Sequence, residues 1–181
     1  MAKPKITVLI ALIGKHPEHV QHFIKENINL KKIYLLHTCD KDQPPSRDGD
    51  VGESVCNECG RGGLIDYGKL ANTFVKKLKR KHNSDSGYHI KIIPKTYQDA
   101  HDINELQERI TDIVEEEKDN GALLKNIALE ISGGTNIAAA AQIFSIYNFG
   151  IVPFYVDNKE NEDGAWVRPI KIPTNWGKML S

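Results

Sequence analysis

Excess charge of either sign is absent: 24 Lys and Arg balance 24 Asp and Glu in 181 residues. A neutral chain lacks the basic surplus that coats nucleic acid, so no direct duplex binding is expected. Cysteine is scarce, at three residues, which excludes a secreted disulfide scaffold. Aromatics are only 7%, yet 40% hydrophobic and 27% charged residues suit an ordinary globular chain. Long apolar runs are missing too. The start, MAKPKITVLIALIG, places lysines before an apolar stretch, but Ile6 to Ile13 is short and lacks a small-residue cleavage site. Ile137 to Val156 approaches membrane length, but Gln142, Asn148, Gly150 and Pro153 interrupt it, favouring a helix followed by a strand. The expectation is a soluble, cytoplasmic, single domain over 1–181 with no membrane partner.

Strand and helix signals alternate along the chain. Ile6 to Ile13 reads as a central strand covered on both faces. Gly14-Lys15-His16-Pro17 ends it, and Pro17 suits a first helical turn. Val20, Phe23, Ile24 and Ile28 then recur at helical spacing, with His19 and His22 assigned to the exposed side. A second strand is expected at Ile33 to Thr38, then a long loop insertion at 40–63. A helix with Leu64, Ile65, Leu70, Ala71, Phe74, Val75 and Leu78 on its stripe follows. Lys76 to Lys81 reads as its solvated, basic end.

The third strand is placed at His89 to Ile93 and the third helix from Asp102 to Glu117, with Asp102 and Glu105 as its cap. Glu115 to Glu117 reads as a solvated face. Ile127 to Ile131 is the fourth strand, leading into an apolar, buried helix over Ile137 to Asn148. Ile151 to Val156 and Val167 to Ile172 complete the set. This pattern specifies an α/β, Rossmann-like, doubly wound and mainly parallel sheet in the order 3-2-1-4-5, with an antiparallel edge strand.

In such sheets a ligand binds beyond the carboxyl ends of the strands where the chain reverses, between strands one and four. Gly14 to Pro17 and Ser132-Gly133-Gly134-Thr135-Asn136 meet there. Two glycines allow close backbone approach, and the following helix start suits a phosphate. Glycine used simply for a tight turn is the plainer reading of the same residues. Neither a Walker-type GKS/T nor a G-x-G-x-x-G after the first strand is present. Lys15 and His16 lie opposite the glycine loop and would give it an electropositive floor.

The segment LEISGGTNIAAAAQIF resembles the fourth-strand motif of the CRISPR-associated Rossmann-fold (CARF) domains, a strand followed by T-G-G-T-K and a helix. The G-x-x-P turn after strand one and the apolar strand near Val152 to Val156 add to the resemblance, which spans Ile6 to Val156. It implies a homodimer that binds a cyclic oligoadenylate of type III CRISPR signalling. It also implies ligand contacts from Gly14, Ser132, Gly133, Gly134 and Thr135.

A stand-alone member is similar to the ring nucleases, which cut their ligand without a metal by attack of a ribose 2′-hydroxyl. Under that reading Lys15 stabilises charge, His16 moves a proton, and Thr135 with Asn136 positions the phosphate. Asn136 stands where many members have Lys, which favours the alternative of a non-catalytic sensor or sink. An unrelated Rossmann-like enzyme for a mononucleotide or phosphorylated metabolite is the further alternative.

A second motif, Cys56-Asn57-Glu58-Cys59-Gly60, lies inside the insertion. C-x-x-C followed by Gly resembles a zinc knuckle, and His37 with Cys39, alternate residues on the second strand, would complete four ligands. A structural zinc is thus expected as an alternative to incidental cysteines, with no cofactor for catalysis.

Overall fold

In the computed structural model the described residues are 5–13, 18–38, 54–55, 62–63, 70–78, 90–97, 102–133, 136–156 and 167–170. β1 (Val8–Leu12) is buried throughout, as its unbroken apolar sequence requires. α1 (Glu18–Glu26) and β2 (Lys32–Thr38) follow. β3 (Ser54–Val55) and β4 (Gly62–Gly63) form a short antiparallel ladder inside the 40–63 insertion. The C-x-x-C motif falls between these two strands in sequence, outside the described residues. α2 covers 70–78 and carries Leu70, Ala71, Phe74, Val75 and Leu78 of the expected stripe, while Leu64 and Ile65 lie outside the described residues. β5 (Lys91–Tyr97), α3 (Ile103–Asp119), β6 (Ile127–Glu130), α4 (Asn136–Phe149), β7 (Val152–Val156) and β8 (Val167–Pro169) complete the order.

The main sheet runs β5-β2-β1-β6-β7-β8. Its first five strands are parallel, and β8 pairs antiparallel with β7. Omitting the small ladder, this is the expected 3-2-1-4-5 order with its antiparallel edge. Alternate residues divide the core between two faces. Leu9, Ala11, Leu35, Ala128 and Phe154 meet Val20 and Phe23 of α1 and Phe74 of α2. Ile10, Leu12, Leu36 and Leu129 meet Leu106, Ile110 and Val114 of α3 and Ala138 and Ala141 of α4. Phe23 and Phe154 cross edge to face with ring centroids 5.1 Å apart.

Asp102 caps α3 as expected, its Oδ1 accepting from the backbone N–H groups of Asn104 at 2.8 Å and Glu105 at 3.1 Å. Gly150, at φ 65°, ends α4 in the left-handed region and turns the chain into β7.

Several expectations need correction. α1 stops at Glu26, so Ile28 is 76% exposed, and Leu30 takes the buried place instead. The third strand extends past Ile93 to Tyr97, through Pro94. β5 lies at the sheet edge, where a missing N–H is tolerated. Glu117 is buried rather than solvated: it accepts from Tyr34 and pairs with Lys32. α4 is not wholly buried, because Ile143 and Phe144 face solvent. No helix among the described residues is long and apolar enough to cross a membrane.

Candidate anion-binding site at the carboxyl end of the sheet

β1 and β6 are adjacent and parallel, with Ala11 in register with Glu130. From their carboxyl ends the chain leaves β1 for α1 on one face and β6 for α4 on the other. That divergence is the reversal point at which open α/β sheets form a crevice.

Ser132 and Gly133 follow β6 directly. The Ser132 N–H donates to Glu130 Oε1 at 2.6 Å, and its Oγ accepts from the Val156 N–H at 2.6 Å. The loop is therefore tied both to the end of its own strand and to the end of β7. Gly133 is buried, and a Cβ there would lie 2.5 Å from the Leu12 carbonyl oxygen and 3.0 Å from His19 Nε2. No side chain fits that gap. The requirement for glycine here is steric closeness, with φ unexceptional. α4 begins three residues later, and its opening N–H groups have no carbonyl partners within the helix. Gln142 braces α4 against the strand by donating from Nε2 to the Glu130 carbonyl at 2.8 Å.

Beneath the loop lies a buried histidine–carboxyl pair that sequence reasoning missed. Glu130 is 0% exposed and His19 only 7%. His19 therefore does not lie on the open side of α1, as its polarity suggested. His19 Nε2 sits 3.2 Å from Glu130 Oε2 and 3.2 Å from the Leu12 carbonyl oxygen. A carbonyl only accepts, so the hydrogen bond to Leu12 requires the proton on Nε2. Burial pushes the Glu130 carboxyl above the ordinary carboxylate range, opposed by His19, the Ser132 hydroxyl and the N–H groups of Ser132 and Gly133. The available signal was Glu130 itself, a carboxylate ending an otherwise apolar strand, because a charge there demands a buried partner.

Of the residues expected at the site, Ser132 and Gly133 stand together at the end of β6, and Asn136 is the first residue of α4. Gly14, Lys15, His16, Gly134 and Thr135 lie outside the described residues, as do Cys39, Cys56 and Cys59. Of the expected zinc ligands, His37 is described: it is buried near the end of β2, on the sheet face shared by Leu35, Ala128 and Glu130 by alternation.

No protein-family model and no curated protein matches the chain in sequence. Solved structures share its fold. Csm6 from Enterococcus italicus, bound to cyclic hexa-2′-fluoro-hexa-dAMP, matches 97% of this chain and 44% of its own at TM-score 0.64 and 14% identity. Can2 from Sulfobacillus thermosulfidooxidans, in complex with cyclic tetra-adenylate, matches 92% of this chain and 36% of its own at TM-score 0.57 and 15% identity. A type III CRISPR defence DNA nuclease activated by cyclic oligoadenylate matches 84% of this chain and 19% of its own at TM-score 0.52 and 13% identity. The chain thus spans less than half the length of each.

Proposed function

We propose that this chain binds a cyclic oligoadenylate, with cyclic tetra-adenylate the first candidate, in the crevice beyond β1 and β6. The observation that carries the reading is the seat of Gly133. Close against Leu12 and His19, it leads from the reversal point into the N-terminus of α4, where backbone donors and helix dipole suit a phosphodiester. The ligands of Csm6 and Can2 support the ligand class.

The proposed reaction is metal-independent ring opening. A ribose 2′-oxygen bonds to the adjacent phosphorus, the bond to the 5′-oxygen breaks, and the 2′ proton leaves as the 5′-oxygen gains one. Lys15 would offset the extra negative charge, His16 would move the proton, and Asn136 would hold the phosphate in line. The second reading, a sensor or sink that binds without cleaving, is favoured by Asn136 itself, which brings no positive charge to the helix start.

A homodimer is part of the proposal. Ala140, Ile143, Phe144 and Tyr147 follow helical spacing on α4, and Ile143 and Phe144 are exposed, giving an apolar stripe suited to a second copy. A structural zinc on His37, Cys39, Cys56 and Cys59 is proposed for the insertion, to be checked by metal analysis of protein purified without chelator. One zinc per chain supports it and a metal-free protein refutes it.

Mixing excess protein with cyclic tetra-adenylate in EDTA, desalting, and weighing the nucleotide by mass spectrometry tests the function. Linear product is the expected result. Intact ligand retained on the protein establishes the sensor reading, and intact ligand left wholly free removes this ring size.

A further inference from the structure

We infer that His19 and Glu130 are positioning residues that take up one proton when an anion binds over Ser132 and Gly133, making ligand binding proton-linked. The inference rests on the anionic-ligand reading above and adds to it a role for two residues beneath the site. Glu130 is fully buried, so solvent ions do not screen its charge from one placed above it. Its carboxylate accepts from the Ser132 N–H, and Gly133 lies against the imidazole of the same pair. An anion arriving over these residues adds a second negative charge next to a buried first. Like charges so placed favour uptake of a proton from solvent onto the pair, either as imidazolium on His19 or as carboxylic acid on Glu130.

Among the described titratable groups, His37 is buried on the same sheet face as Glu130, near the end of β2. His22 and Glu26 lie further along α1 and are only partly buried. β1 contributes the Leu12 carbonyl. The Nε2–Leu12 bond fixes the ring to the end of β1, so the pair links the ends of both central strands to the loop.

Calorimetry of cyclic tetra-adenylate binding in PIPES, HEPES and Tris at one pH reads the uptake directly. The expected result is a heat that varies with buffer ionisation enthalpy by about one proton, and an affinity falling up to about tenfold per pH unit as pH rises. Glu130→Gln, which removes the buried carboxylate that drives uptake onto either partner, should lose the buffer dependence. A merely structural role would lower affinity or stability without touching it. Heats identical in all three buffers overturn the inference while leaving the ligand reading intact. Absence of heat in every buffer instead removes the ligand reading, and the linked proton with it.

Discussion

The Tyr34 hydroxyl donates to Glu117 Oε1 at 2.6 Å, joining the middle of the sheet to the last turns of α3. It also lies 2.9 Å from Glu116 Oε1, and Lys32 pairs with Glu117 from the strand's start. Removing the hydroxyl leaves a buried carboxylate one donor short. Tyr34→Phe should cost about 1–3 kcal/mol in a urea melt and leave ligand binding unchanged, because the network is remote from Gly133. Burial, and then the hydrogen bonds to Glu117 and Glu116, raise the phenol above its ordinary 10.0. Its contribution is therefore full below that pH and is lost as pH rises through the folded value. Absorbance titration should find one of the six tyrosines refusing to ionise until the protein unfolds in alkali.

Gly133→Ala should displace the loop, because the nearest obstacle is a backbone oxygen and not a flexible side-chain end. An overpacked buried site of this kind loses about 1–3 kcal/mol. The expected outcome is a lower melting temperature together with at least a tenfold weaker grip on cyclic tetra-adenylate. Unaltered affinity in a folded variant would place the ligand elsewhere.

For Glu130 the sign of the pH effect follows from burial. Its folded value is raised above 4.5, so the folded chain holds this proton more firmly than the unfolded one. The stability it contributes is fully present below pH 4.5 and drains away as pH climbs through the raised value. Glu130→Gln has nothing to titrate there. Melting curves from below pH 4.5 towards neutrality should show the variant gaining on wild type with each step up. A constant or shrinking difference contradicts the burial argument.

Phe144 is 51% exposed on an apolar helix, so a charge there should be tolerated by the monomer and not by a dimer. Sedimentation velocity is expected to give two copies for wild type and one for Phe144→Glu, with the far-ultraviolet spectrum unchanged. A wild-type monomer at high concentration removes the proposed assembly.

The sheet order was legible because β1, wholly apolar, and β6, apolar up to its last residue, had to be central, and the helices between strands forced parallel pairing. Ser132 and Gly133 were legible for the same reason: they follow a central strand and precede a helix. His19, Glu117 and Glu130 were not. Periodicity assigns polar letters to the surface, and each of these is buried only because a partner arrives from a distant element: β6 for His19, β2 for Glu117, α1 for Glu130. Ile28 failed for a different cause, since helical spacing continues in the letters after the α1 hydrogen bonds have stopped. The third strand, placed at His89 to Ile93, runs on through Pro94 because the effect of a proline depends on whether a strand lies at the edge, which is a property of topology.

Both borders of the main sheet carry a proline. Pro94 interrupts β5 at one margin, and Pro169 ends the three-residue β8 at the other. Among the described residues, neither margin offers an unbroken row of backbone donors to a stray strand. Two copies meeting in solution are thereby steered away from fusing their sheets into a continuous ladder. The same arrangement works against open-ended growth of the chain into fibres.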